Sequence, residues 1–510
     1  MNSTNIRSCL VILGLGKGLI RQTLILSFLC LLLLPAQLLF AQAENAATNA
    51  APLCRFGVNA THNASNGITD FDLASLRVGW YIDYQAKAAA PRPNGIQYTP
   101  MIRLKQTGAN TYSYSPNSNT LKNVIAKNPG AEWLIGNEPD RRMLQDDMEP
   151  ALYAKAYHDL YKLIKQLDPT AKILAGSIVQ PTPLRLQYLD LVLKSYQALF
   201  NDWMPVDAWS IHNFILFEAS CDLYGDPQIC WGADIPPGIS AIDGLRINVD
   251  DNDRFDLFVE QIIRFRQWML SRGYRNTPLY LTEYGVLMPA DYGFPESRVN
   301  TFMTKTFDYL LNTSDPTTGY PADNNRLVQR LSWYSTNDSI AFNGYLFEPS
   351  PSQQNSFQLS LMGQNYANYT KNITDAVDIY PVSVSVAPAA PLISQAPVTL
   401  TVSAVIANGG NNLAPITTTV RFYVGDPTQG GKQIGSDQIV SLAGCGTTVN
   451  AKVVWKNVAA NNYDVFAVVD PNNQVNEPGS GESNNKRQQS LFFATSSVYL
   501  PILTRTLVVQ

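Results

Sequence analysis

The feature that most constrains this chain is an alternation. From Arg55 to Asp338, eight short apolar runs take turns with longer stretches of helical period. The runs are Phe56–Asn59, Arg77–Ile82, Thr99–Leu104, Trp133–Gly136, Lys172–Ser177, Ala208–His212, Leu279–Thr282 and Arg330–Tyr334. Each has strand length and is apolar on successive residues, as in a parallel sheet covered on both faces. Ala151–Leu167 repeats its apolar residues near a 3.6 period and stops at Asp168-Pro169. Arg254–Arg272 and Arg298–Leu311 behave in the same way, and Leu359–Ile373 reads as a last helix. Eight strands alternating with helices predict an α/β fold, a (β/α)₈ TIM barrel. A doubly wound sheet is the alternative, but it does not need eight strands.

The pattern then changes. Pro381–Pro391 is rich in Pro, Ala and Ser and reads as a semi-rigid linker or a stiff first strand. From Val398 the period becomes two, in Val398–Ile406, Thr418–Val424, Thr447–Trp455, Tyr463–Val469 and Ser490–Phe493. Short strands with Gly/Asn turns and no helix predict an all-β, immunoglobulin-like sandwich. The expected organisation is a leader at 1–43, a catalytic barrel at 44–380, a linker at 381–395, a sandwich at 396–495 and a tail at 496–510. No paired carboxylates lie beside an aromatic platform in the sandwich, so it is expected to fold alone and take no part in catalysis.

In the leader, Arg7, Lys17 and Arg21 precede the apolar run Leu24–Phe40 and a small-x-small Ala41-Gln42-Ala43. This reads as a cleaved secretory signal, with a retained membrane anchor as the alternative. The expected location is therefore secreted or at the cell surface. Without those three basic residues the formal charge of −4 falls to about −7, and no basic stripe invites nucleic acid. A monomer is expected. Four cysteines remain: Cys54, Cys221, Cys230 and Cys445. Cys221 and Cys230 lie close together in a polar loop and are expected to form a disulfide in an exported chain. Whether Cys54 and Cys445 pair is left open.

The chemistry concentrates at two strand ends. Glu132-Trp133-Leu134-Ile135-Gly136-Asn137-Glu138-Pro139-Asp140 is an apolar strand that must stop before Pro139, leaving Glu138 at its end. A carboxylate against an apolar interior is costly unless it has a task or a partner. Pro278-Leu279-Tyr280-Leu281-Thr282-Glu283-Tyr284-Gly285 repeats the design with Glu283. Barrel sites form at the carboxyl ends of strands, so both glutamates are expected at one mouth. Each could instead serve a structural ion pair, Glu138 for instance with Arg141. Three histidines, at 62, 158 and 212, do not form a conventional His-rich metal site, and neither a Gly-x-Ser-x-Gly elbow nor a dinucleotide fingerprint is present. No cofactor is expected.

Asn137-Glu138-Pro139 with Thr282-Glu283-Tyr284-Gly285 resembles the motifs of clan A glycoside hydrolases, the retaining (β/α)₈ group, over about residues 55–380. The resemblance implies Glu138 as acid/base, Glu283 as nucleophile and Asn137 as donor to the sugar 2-hydroxyl. It further implies His212 as a support for Glu283 and Trp333 as an aromatic floor for the sugar. Trp80 and Tyr81 are weaker candidates for a second sugar platform, and barrel packing competes with that role for all three aromatics. Arg103 either meets substrate or pairs with an acid, and Asp140 reads as a loop-stabilising acceptor. Ala407-Asn408-Gly409-Gly410, Asp470-Pro471-Asn472-Asn473-Gln474-Val475-Asn476-Glu477 and Glu482-Ser483-Asn484-Asn485 resemble the bacterial cell-adhesion-related (CARDB) sandwich. The expectation is a secreted retaining β-glycosidase cleaving O-glycosidic bonds of an oligo- or polysaccharide, held to a surface or glycan by its sandwich. The rival is a non-catalytic carbohydrate-binding or adhesion protein on a barrel scaffold.

Overall fold

The computed structural model describes residues 51–60, 67–220, 232–338, 342–478 and 481–495. The leader, the Cys221–Cys230 pair and the tail lie outside them. Among the described residues no helix is long and apolar enough to cross a membrane.

All eight expected strands form. They are β1 (Leu53–Asn59), β2 (Val78–Ile82), β3 (Met101–Gly108), β4 (Glu132–Ile135), β5 (Lys172–Ile178), β6 (Ala208–His212), β7 (Leu279–Tyr284) and β8 (Arg330–Trp333). They make one curled sheet in the order β2-β1-β8-β7-β6-β5-β4-β3, with every neighbouring pair parallel. Just before β3, Gln97–Tyr98 pairs with β2, and Thr99 N donates to Tyr81 O (3.0 Å). The chain that leaves one edge of the sheet thus enters the other.

Among the described residues, apart from the single turn Leu73–Leu76, six helices cover the outside: α1 (Ser118–Lys127), α2 (Pro150–Leu167), α3 (Pro183–Phe200), α4 (Phe255–Ser271), α5 (Glu296–Asn312) and α6 (Leu361–Lys371). Four match the helical periods seen in the sequence. In α1 only Leu121, Val124 and Ile125 are buried, too thin a stripe to stand out. In α3, apolar residues on nearly every face blur the period.

Strand parity decides the fate of the expected sugar platforms. Trp80 points inside the curled sheet, packed with Ile82, Met101, Leu134, Leu174, Ala208 and Tyr280. Its indole lies so close over Gly57 that a Cβ there would sit 2.4 Å from the ring. Tyr81 points the other way, into the layer beneath the helices, and donates to Pro91 O (2.7 Å). Neither is exposed. Both are packing residues, and the platform expectation for them is corrected.

The C-terminal part comprises β9 (Ile379–Ala387), β10 (Val398–Asn408), β11 (Ile416–Val424), β12 (Lys432–Leu442), β13 (Thr447–Val458), β14 (Tyr463–Val469) and β15 (Lys486–Leu491). Two antiparallel sheets, β9-β10-β13 and β12-β11-β14-β15, enclose a shared apolar core. The stretch beginning at Pro381 belongs to β9, the stiff-strand alternative rather than the linker. β12 escaped the sequence reading because of its Gly435 and its many exposed polar residues.

This unit is fastened to the amino ends of the parallel strands. Cys54 in β1 is bonded to Cys445. Arg55 donates to Asp323 (Nη1 to Oδ2, 2.6 Å) and to Gly409 O (3.1 Å). Tyr320, Ala322, Tyr380 and Ala407 form an apolar cluster across the same junction. A cut near Pro381 would therefore split β9 and unpair Cys54, so separability is replaced by a welded junction. Breaking the disulfide with Cys54→Ser is expected to cost about 2–4 kcal/mol. Thermal unfolding of wild type and variant, with and without reductant, checks this: reductant should lower the wild-type midpoint to that of the variant.

Candidate active site

Beyond β4 the backbone turns sharply: Gly136 has φ 86° and Glu138, unusually for a non-glycine residue, φ 46°. Asp146 clamps this turn, accepting from Asn137 N (2.8 Å), Leu104 N (2.9 Å) and Arg103 Nε (2.6 Å). Arg103 is thereby committed to an acid. Glu138 N donates to Ser177 O (3.0 Å). Asp140 is an acceptor as expected, facing Val179 N and bonded to Arg185.

At β7 the register does the aiming. Leu281 and Tyr284 face Leu331 and Trp333 of β8, while Leu281 and Glu283 face Ile211 and His212 of β6. Both neighbours therefore meet one extra residue in β7, a bulge that redirects a side chain. Thr282 Oγ1 bonds Ser210 Oγ (2.7 Å) in the interior, and Glu283 turns to the mouth beside Glu138.

His212 lies between the two carboxylates and is fully buried. Its Nδ1 is 3.0 Å from Glu138 Oε1 and its Nε2 is 3.3 Å from Glu283 Oε1. One ligand-type atom from each of the three residues lies within 4.8 Å of the others. Because His212 offers a different nitrogen to each carboxylate, the trio suits a shared proton better than a shared cation. Burial opposes charge on His212, but Glu283 and Glu138 outweigh it and raise its pKa. Burial also pushes Glu138 up, yet His212, Arg141 and Arg185 together bring it below the ordinary value. Glu283, buried and beside another carboxylate, is pushed up to about 7. His212 and Glu283 are thus both raised and Glu138 is lowered, so a proton held by the trio is disfavoured on Glu138.

Asn137 is buried next to this trio, its Nδ2 donating to Gln145 Oε1 (3.1 Å) and its Oδ1 without a partner. Trp333 does not join them. It is fully buried, edge-on to Tyr284 at 5.3 Å, with Nε1 donating to Gly344 O (2.7 Å). Strand alternation places Ser332 inward and Trp333 beneath the helices, so Trp333 is a packing residue and the aromatic-floor expectation for it is corrected. Tyr334 stands beside Glu283, packed against Phe214 and Phe342, with its hydroxyl on Asp338. Counting parity from Ser332 would have exposed the difference.

Sequence reasoning also missed Tyr84. It follows β2 at φ 59°, and its hydroxyl donates to Asn59 Oδ1 (3.0 Å) while standing beside Glu283, where it favours the ionised carboxylate. Asn59 in turn donates to Ser332 Oγ (3.0 Å) and Thr282 O (3.1 Å), tying β1 to β7 and β8. No motif marks Tyr84.

Residues 382–489 match the family model CARDB. No curated protein matches the chain. Among solved structures, the chain is similar to the GH39 enzyme from Xanthomonas axonopodis pv. citri, with 13% identity, 80% of this chain and 94% of that chain covered, and a TM-score of 0.37. A monomeric β-xylosidase from Caulobacter crescentus is similar at 12% identity, covering 83% of this chain and 98% of its own, with a TM-score of 0.39. A CARDB domain from Pyrococcus furiosus is similar at 19% identity, covering 24% of this chain and 97% of its own, with a TM-score of 0.19.

Proposed function

We propose that this protein is a glycosidase that cleaves O-glycosidic bonds with retention of configuration, on a (β/α)₈ barrel. The observation that carries the reading is the pair Glu138 and Glu283, at the ends of β4 and β7, with oxygens within 4.8 Å of each other and His212 between them. A separation of about 5–5.5 Å between carboxyl groups suits a carboxylate that attacks the anomeric carbon, whereas about 6.5–9.5 Å leaves room for an inverting water. Glu138 acts as acid/base and Glu283 as nucleophile. Asn137 meets the 2-hydroxyl, and Tyr334 offers the sugar an aromatic surface. His212 Nδ1 bonds Glu138 and its Nε2 faces Glu283 at 3.3 Å, so a proton held by the trio can pass to Glu138 through the imidazole when substrate arrives. The protein acts outside the cytoplasm, in keeping with the Cys54–Cys445 bond. Its CARDB-matched sandwich, on the face away from the mouth, leaves the cleft free while holding the enzyme to a surface or glycan.

The test is turnover of aryl β-glycosides and β-linked polysaccharides, with the first-formed anomer read by NMR. Retention is the expected result. Inversion would remove the nucleophile role from Glu283, and absence of turnover on all substrates would return the scaffold to a binding role.

The pH profile gives a finer prediction. Catalysis needs one proton on the pair, and such macroscopic values belong to the pair rather than to one residue. With Glu283 pushed up to about 7, kcat/KM should fall as pH rises through about 7, when that last proton leaves. Tyr84→Phe removes a group that favours ionised Glu283, so this alkaline limb should move upward. A loss of rate with an unmoved limb would reduce Tyr84 to packing.

A further inference from the structure

Among the described residues at the mouth, Arg141 is a cation whose charge is only loosely committed. Its neighbours are spoken for: Asp140 and Glu218 are held by Arg185, and Asp146 by Arg103. Arg141 reaches Gly232 O through Nη2 (2.8 Å), its Nε is buried without a partner, and among the described residues its one carboxylate contact is Glu138 Oε2 at 3.5 Å. That contact is long, and Glu138 Oε2 has no hydrogen bond. A structural ion pair would close this distance and use the guanidinium's fork; here spare donors sit against the group proposed as acid/base. The side chain keeps 18% of its surface exposed, so a ligand can reach it. Arg142 beside it in sequence is exposed, with Nε donating to Ile235 O (3.1 Å).

Resting on the glycosidase reading, we infer that Arg141 receives an oxyanion carried by the sugar on the leaving-group side, so that the substrate is an acidic glycan bearing uronic acid or sulfate groups. An acid/base carboxyl faces the leaving group, and the guanidinium next to it faces the same sugar. Planar, forked donors suit carboxylate and sulfate alike. Binding also readies the chemistry. An oxyanion on Arg141 neutralises the cation that helps keep Glu138 ionised, which favours a proton on Glu138. An acidic substrate thus assembles the reactive protonation state, and a neutral one does so less well.

The experiment uses the full-length protein and a matched set of β-linked disaccharides. The leaving sugar is a uronic acid, its carboxyl-reduced neutral counterpart, or the sulfate ester of that neutral sugar; a neutral aryl β-glycoside tests the parent reading. A charge-assisted hydrogen bond of roughly 1.5–3 kcal/mol corresponds to about 10- to 100-fold in kcat/KM. One or both acidic substrates should exceed the neutral disaccharide by that factor, and the two arms distinguish carboxylate from sulfate. Arg141→Gln should collapse the ratio toward one, while Arg141→Lys, which keeps the charge and tests for misfolding, should keep part of it. Hydrolysis of the aryl glycoside without any preference for acidic disaccharides overturns the inference and leaves the glycosidase reading intact. A preference that survives Arg141→Gln also overturns it, and no hydrolysis of any compound sinks both.

Discussion

Glu283→Ala should bring turnover to background on every glycoside, because it removes the carboxylate proposed to form the glycosyl-enzyme. Glu138→Ala should behave differently. General acid assistance is worth about 10²–10⁴-fold, and that loss should appear with poor leaving groups and shrink with activated aryl glycosides, which need little protonation in the first step. Azide separates the roles. In Glu138→Ala it should enter the space left by the acid/base and attack the glycosyl-enzyme, giving a β-glycosyl azide. In Glu283→Ala it should displace the leaving group directly and give the α-glycosyl azide. The experiment is pointed because Glu138 is held below and Glu283 above the ordinary carboxylate value, opposite to what the proposed roles require. If the β-azide came instead from Glu283→Ala and the α-azide from Glu138→Ala, the roles would be reversed.

Arg185→Leu should produce the largest loss of stability. Arg185, Asp140 and Glu218 are all fully buried. The guanidinium bonds the Asp140 carboxylate and main-chain oxygen (2.8 Å), Glu218 Oε1 (2.9 Å) and Asp234 O (2.5 Å). It thereby connects α3 to the turn after Glu138 and to the segment following β6. Removing it strands two carboxylates in the interior at a cost of about 3–5 kcal/mol, a large share of the roughly 5–15 kcal/mol that holds a typical protein together. The sign of the pH dependence identifies the cause. Burial already raises the Asp140 pKa with the arginine present, and without it the folded value climbs further. A carboxyl whose folded pKa exceeds its unfolded one destabilises above the unfolded value, so the deficit should widen as pH rises from about 4 toward 7. Denaturant unfolding across that range would measure it. Adding Asp140→Asn and Glu218→Gln should recover much of the loss; no recovery would assign the effect to lost packing.

The sequence by itself determined what depends on local order. Strand-length apolar runs placed all eight parallel strands within a few residues, and Pro139 marked where one of them had to stop, beside a glutamate. A period of two announced the C-terminal sheets, because alternation is all that a half-buried strand requires. Tertiary structure decided whatever depends on how strands lie against one another. The bulge that turns Glu283 to the mouth exists only relative to β6 and β8. His212 was legible as a residue near one carboxylate, but its place between both comes from the curl of the sheet. Trp333 and Tyr334 are adjacent aromatics of similar chemistry, and the inside–outside parity of β8 assigns one to the core and the other to the site. Cys54 and Cys445, 391 residues apart, meet because the sandwich folds back on the first strand. Periodicity reports which face of an element is buried; it carries no record of which distant element covers that face.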